Sequence, residues 1–96
     1  MSIPPARRED IEIEIRRILV DELGADAQLL ARSGGETPLL GQGIGLDSIE
    51  ALALVTALEQ RFSLQIDDTD LTVALFSTMS TLAEYVARKQ DAFDAS

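Results

Sequence analysis

The sequence has no cysteine and no histidine, and its only lysine is Lys89. Without cysteine there is neither a disulfide framework nor a thiolate metal site, and thiols say nothing about the redox compartment. Without histidine, a serine nucleophile lacks the base that usually titrates near neutral pH, so chemistry on a serine here falls to another protein. Zinc sites built on His or Cys are excluded too, which leaves carboxylate sites for hard cations such as calcium or magnesium. Positive charge is scarce: 8 basic residues face 17 acidic ones, for a formal net charge of -9. Such a field disfavours nucleic acid and anionic lipid and favours basic protein partners. No apolar run approaches the roughly 20 residues that span a bilayer. Met1 to Pro5 has no apolar core with a cleavage pattern. A soluble, cytoplasmic protein is therefore expected.

What is present reads as helices joined by connectors. The 96 residues have the length of one compact domain, residues 1–96, with a core from about 7 to 89 and flexible ends at 1–5 and 90–96. After Pro4-Pro5, Ile11, Ile15, Ile18 and Leu19 recur at spacings of three and four, which predicts a helix to about Leu23 with Gly24 as its stop. Ile11 to Ile15 also alternates like a strand, but Arg16, Arg17, Ile18 and Leu19 break that alternation. Residues 25–46 form a long connector in which Ser33-Gly34-Gly35 is flexible, Pro38 is rigid, and Gly41, Gly43 and Gly45 are spaced by two. Leu29, Leu30, Leu39, Leu40, Ile44 and Leu46 make it too apolar to hang free, so parts of it should lie on the core, with a helical turn at Leu29-Leu30.

The strongest helix pattern begins at Asp47 or Ser48, with Asp47 as candidate N-cap, and places Leu52, Val55, Leu58 and Phe62 on one stripe with Leu54 beside it. Leu64 and Ile66 anchor the turn that follows. Asp68 or Thr69 is expected to cap a brief helix through Leu71, Val73, Ala74, Leu75 and Phe76. Ser80 or Thr81 is expected to cap a last helix with Leu82, Tyr85 and Val86 inward, before a polar tail from Lys89. With no convincing strand pair, the fold class is all-α, a small helical bundle.

Ser48 stands where the glycine-spaced connector meets this helix. Unpaired backbone N–H groups and the positive end of the helix dipole favour a phosphate ester on such an oxygen. A serine at a helix start is ordinarily only a cap, so Asp47-Ser48 by itself carries little. The flanks add more, because Gly45-Leu46-Asp47-Ser48-Ile49 resembles the phosphopantetheine attachment signature of acyl carrier proteins. Leu52 to Phe62 resembles the family's second helix with its closing phenylalanine, Ile66-Asp67-Asp68 its turn into a short third helix, and Phe76-Ser77-Thr78 with Leu82, Tyr85 and Val86 its entry to a fourth.

The resemblance implies a four-helix bundle of three longer helices and a short third one, with a long loop between the first and second. It implies that a phosphopantetheinyl transferase moves 4'-phosphopantetheine from coenzyme A to the Ser48 hydroxyl, and that the arm's thiol holds an acyl group as a thioester. The reactive thiol then belongs to the prosthetic group, which suits a cysteine-free chain. It further implies a monomer that is no enzyme itself. Asp47, Ile49, Glu50 and Glu59 would meet acyl-loading and acyl-processing enzymes through basic docking patches, and Leu52, Val55, Leu71 and Leu75 are candidates for sheltering an acyl chain.

Two departures suggest a specialised free-standing carrier for a fatty-acid or polyketide-type pathway. The connector before Ser48 is longer than in carriers of primary fatty-acid synthesis, with Leu39-Leu40-Gly41-Gln42-Gly43-Ile44-Gly45 resembling the approach in specialised carriers, and the helix after Ser48 is less acidic, with neutral Ala51, Ala53 and Thr56 and a basic Arg61. A peptidyl or aminoacyl carrier would share fold and serine and differ in cargo. A calcium-binding reading of Asp67, Asp68 and Asp70 fails on spacing, because an EF-hand loop needs alternate ligands, a glycine at its sixth position and a glutamate at its twelfth. An enzyme built on Ser48 fails for want of a base.

Overall fold

Ile11 and Ile15 are fully buried while Ile13 between them is 47% exposed, which a strand with all three on one face could not produce. The computed structural model describes residues 8–41 and 43–95, with side chains as far as Gln90. Helix α1 spans Arg8–Asp21 and turns Ile11, Ile15, Ile18 and Leu19 inward. It ends two residues before the predicted Leu23. The Leu23 N–H donates to the Ile18 carbonyl and that of Ala25 to Leu19, around a left-handed Gly24 at φ 72°.

The connector is anchored along its length. Helix α2, Ala27–Ala31, carries the helical turn expected at Leu29-Leu30; it is capped by the Asp26 carboxylate and buries Leu30 while Leu29 is exposed. The Arg16 guanidinium donates to the carbonyls of Leu30 and Ser33, which fixes α2 to α1. The chain then runs beside the start of the last helix. Ser80 N–H donates to the Gly35 carbonyl at 2.8 Å, Met79 N–H to Thr37 at 3.2 Å, and Leu39 N–H to Phe76 at 3.4 Å. Leu39 and Leu46 enter the core, and Leu40 and Ile44 pack against it.

Helix α3, Ser48–Phe62, buries Ala51, Leu54, Val55 and Leu58. Leu52, expected on that stripe, is 52% exposed instead. The inward face is turned by one residue toward Ala51. Leu64 and Ile66 anchor the following turn as predicted. The brief helix expected next is two separate 3₁₀ turns, Asp68–Asp70 and Val73–Phe76, parted by an extended Thr72 at φ -116° and ψ 164°. Three β-branched residues, Thr69, Thr72 and Val73, and two aspartates that compete for backbone donors weaken a continuous helix here.

Helix α4, Met79–Ala95, begins before the predicted Ser80 or Thr81, because the Thr78 hydroxyl takes the Thr81 N–H at 3.0 Å. It stays helical past Lys89, through 90–95; the predicted flexible segment 1–5 and the terminal Ser96 lie outside the described residues. Helix α1 packs across α4 and α3, so Ile15, Leu54, Leu58, Leu82 and Val86 share one core. No helix among the described residues is long and apolar enough to cross a membrane.

Candidate functional site

The path into α3 is built from backbone the sequence marks with glycine. A Cβ on Gly43 would coincide with the Pro38 carbonyl, which the Ile44 N–H approaches to 2.8 Å. Gly45 turns the chain at φ 85°, in the region that favours glycine. Leu46 is then held by its N–H donating to the Leu39 carbonyl at 2.9 Å, and its side chain is buried. The residues just before α3 are therefore fixed on the core.

Asp47 is extended and is the N-cap. Its carboxylate accepts the Glu50 N–H at 2.8 Å, and the Glu50 carboxylate accepts the Asp47 N–H at 3.2 Å, a complete capping box. With Asp47 as the cap, Ser48 is the first helical residue and its side chain is exposed. Its hydroxyl sits at the positive end of a 15-residue helix, where the first N–H groups have no intrahelical acceptor.

A cavity of about 220 Å³ opens beside Ser48. From α3 it is lined by Ser48, Ala51 and Leu52, and across from them by Leu71, Val73 and Phe76, with Leu40 from the connector. Of the four residues singled out for a sheltering role, Leu52 and Leu71 line this space, while Val55 and Leu75 are buried in the core and do not. Ala51, Val73, Phe76 and Leu40 escape the sequence pattern, because only the path of the connector and the 3₁₀ turns brings them to Ser48. Ile49, next to Ser48 on α3, is 79% exposed, and Val73, which lines the cavity, is 77% exposed.

The acidic side chains differ in their engagements. Asp47 and Glu50 complete the cap, and the Glu59 carboxylate, farther along α3, accepts the Ile66 N–H at 2.9 Å and braces the turn after the helix. Lys89 is committed elsewhere, with Nζ 3.1 Å from the Asp67 carboxylate and 3.9 Å from that of Asp70. The Tyr85 hydroxyl donates to Asp70 at 2.5 Å, and burial, then that hydrogen bond, push its pKa well up. Arg61, at the far end of α3, pairs with Glu14 at 2.6 Å and Glu22 at 3.1 Å, and the hydrogen bond to Glu14 raises its pKa. The Glu14 and Glu22 carboxylates thereby offset the positive charge near the end of α3.

Comparison with known proteins bears on this arrangement. The family model described as a phosphopantetheine attachment site matches residues 14–86. An acyl carrier protein of Thermotoga maritima is 30% identical over 84 residues, which cover 88% of this chain and 96% of that protein. An acyl carrier protein of Nitratidesulfovibrio vulgaris is 28% identical over 80 residues, covering 83% of this chain and 97% of the relative.

Proposed function

We propose a function from the premise that this chain belongs to the acyl carrier protein family, whose prosthetic group is 4'-phosphopantetheine: Ser48 bears the arm, and the protein hands an acyl group between enzymes. The observation that carries the assignment to Ser48 is the double placement of its hydroxyl, exposed at the N-terminus of α3 and on the edge of an apolar cavity. The helix end suits a phosphodiester. The cavity suits the apolar part of a cargo. The thiol of the bound arm supplies the thioester chemistry.

The remaining residues orient and present. The capping box of Asp47 and Glu50 holds Ser48 in one place for the transferase. Ile49, Leu52 and Val73 offer the apolar contact around it, and Asp47, Glu50 and Glu59 contribute to a negative field that meets basic docking patches. The carrier does no chemistry of its own. No histidine exists to activate Ser48, and the one lysine is paired with Asp67 and Asp70.

The cargo is acyl, and the pathway is a specialised one of fatty-acid or polyketide type. Supporting this are the apolar lining of the cavity and the long glycine-spaced approach to α3. The experiment is incubation of the unmodified protein with coenzyme A, magnesium and a broad-specificity phosphopantetheinyl transferase, followed by intact mass. One phosphopantetheine should be added to the native chain and none to Ser48→Ala. Addition that persists in the variant would overturn the assignment. Mass spectrometry of the thioester from the native host then separates an acyl cargo from an aminoacyl or peptidyl one.

A further inference from the structure

One wall of the cavity beside Ser48 is far less secured than the other. The α3 wall belongs to a continuous helix in the core, but the opposite wall hangs on two 3₁₀ turns, where short runs and poorer hydrogen-bond geometry give little local stability. From Asp67 to Ala74 no residue is buried; only Asp70 and Leu71 are half-covered. The backbone–backbone hydrogen bonds of this stretch are all local, from Asp70 to Asp67, Leu71 to Asp68, Thr72 to Asp70, Leu75 to Thr72 and Ser77 to Ala74. Its ends are firm. Ile66 is buried and bonded to Glu59, and Leu75 and Phe76 are buried, with the Phe76 carbonyl taking the Leu39 N–H.

Between those ends, the polar ties to the rest of the bundle come from one spot on α4. Tyr85 and Lys89 are one helical turn apart and face the same way. The tyrosine hydroxyl reaches Asp70 at 2.5 Å, and the lysine reaches Asp67 at 3.1 Å and Asp70 at 3.9 Å. The ammonium also lies 5.8 Å from the centre of the Tyr85 ring, so the two groups support each other. Leu71, the first residue of the chain to line the cavity from this side, follows Asp70 directly.

We infer that Tyr85, with Lys89, latches Asp70 and so fixes the position of the Leu71–Val73 wall, which sets the length of cargo the cavity shelters. Tyr85 is thus a positioning residue that never touches the cargo. Cargo longer than the closed cavity holds must displace the wall against this latch, and shorter cargo need not. The length-setting role rests on the carrier reading given above; the latch itself does not.

The test therefore has two arms. In the first, amide hydrogen exchange is followed on the unmodified protein, native, Tyr85→Phe and Asp70→Asn. Tyr85→Phe should speed exchange at Leu71 to Phe76 by about tenfold, with Asp70→Asn in the same direction, while amides of α1 and of Leu54 to Leu58 stay within about twofold. Unchanged exchange at Leu71 to Phe76, or a rise spread evenly over the core, overturns the latch. In the second arm, the arm-bearing proteins are loaded with straight acyl chains of increasing length, and thioester hydrolysis at fixed pH is timed. The chain length of greatest protection should be longer in Tyr85→Phe than in the native protein. An identical length profile overturns the length-setting role. A thioester unprotected at every length in both proteins removes sheltering, and that role with it, while the exchange arm still decides the latch.

Discussion

Gly43 and Asp47 show how single residues place the hydroxyl of Ser48. At Gly43 any side chain would displace the Pro38 carbonyl, so the connector would have to open where it closes on itself. Gly43→Ala should destabilise the protein by roughly 1–3 kcal/mol, the range for forcing atoms into a filled space, read as a lower urea midpoint at unchanged slope. Asp47 acts differently, through the cap. Asp47→Ala removes the carboxylate that takes the Glu50 N–H and leaves the Glu50 side chain with half a box, so a loss of about 1 kcal/mol is expected in the same measurement. Because fraying would begin at Ser48, transfer of the arm by a phosphopantetheinyl transferase should also slow. A stability loss with an unchanged transfer rate would show that the cap serves the fold alone.

At the scale of elements, the latch between α4 and the first 3₁₀ turn predicts a pH response. The Tyr85 pKa is raised in the folded protein above its ordinary value near 10, so the neutral phenol is favoured by folding. That contribution is complete well below pH 10 and is lost progressively as pH rises from the unfolded value toward the raised folded one, since over that interval the unfolded chain releases a proton the folded one retains. Stability should therefore fall between about pH 10 and 12 more steeply in the native protein than in Tyr85→Phe, as followed by denaturant midpoints. Equal slopes would deny Tyr85 its hydrogen bond to Asp70.

The same elements show what could be read from sequence. Helices α1 and α3 were legible because apolar spacing of three and four has one good structural solution, and Asp47-Ser48 because a cap and a glycine-spaced approach are local features. The facing of α3 was not: a stripe through Leu52 and one through Ala51 share Val55 and Leu58, and only the tertiary packing selects the smaller residue. In sequence the second cavity wall reads as one helix because its apolar residues fit that period, whereas in the structure Thr72 and its β-branched neighbours divide it. Thr78 gives no cap signal of its own in the sequence, because Ser80 and Thr81 offer the same chemistry two and three residues later.

Over the whole molecule, the distribution of charge matters more than its sum. Arg8 pairs with Glu84 at 2.9 Å, Arg61 with Glu14 and Glu22, and Lys89 with Asp67 and Asp70, so these cations tie α1, α3, α4 and the first 3₁₀ turn to one another. Among the described residues, Asp47, Glu50 and Glu59 have no cationic partner. A molecule of net charge -9 thus carries uncompensated carboxylates at Asp47 and Glu50 beside Ser48 and at Glu59 farther along α3. Such a surface raises the rate of encounter with a basic patch more than it lengthens the encounter, and its reach is limited to about 10 Å in 0.1 M salt. Glu50→Gln keeps the side chain's shape and its acceptor oxygen for the Asp47 N–H while removing the charge. Stopped-flow binding of the unmodified variant to a phosphopantetheinyl transferase should show an association rate lowered by roughly threefold in low salt, a dissociation rate little changed, and a difference that disappears near 0.5 M salt. A rate loss that persisted at high salt would instead place Glu50 in a direct contact, and the negative field around Ser48 would lose its part in recognition.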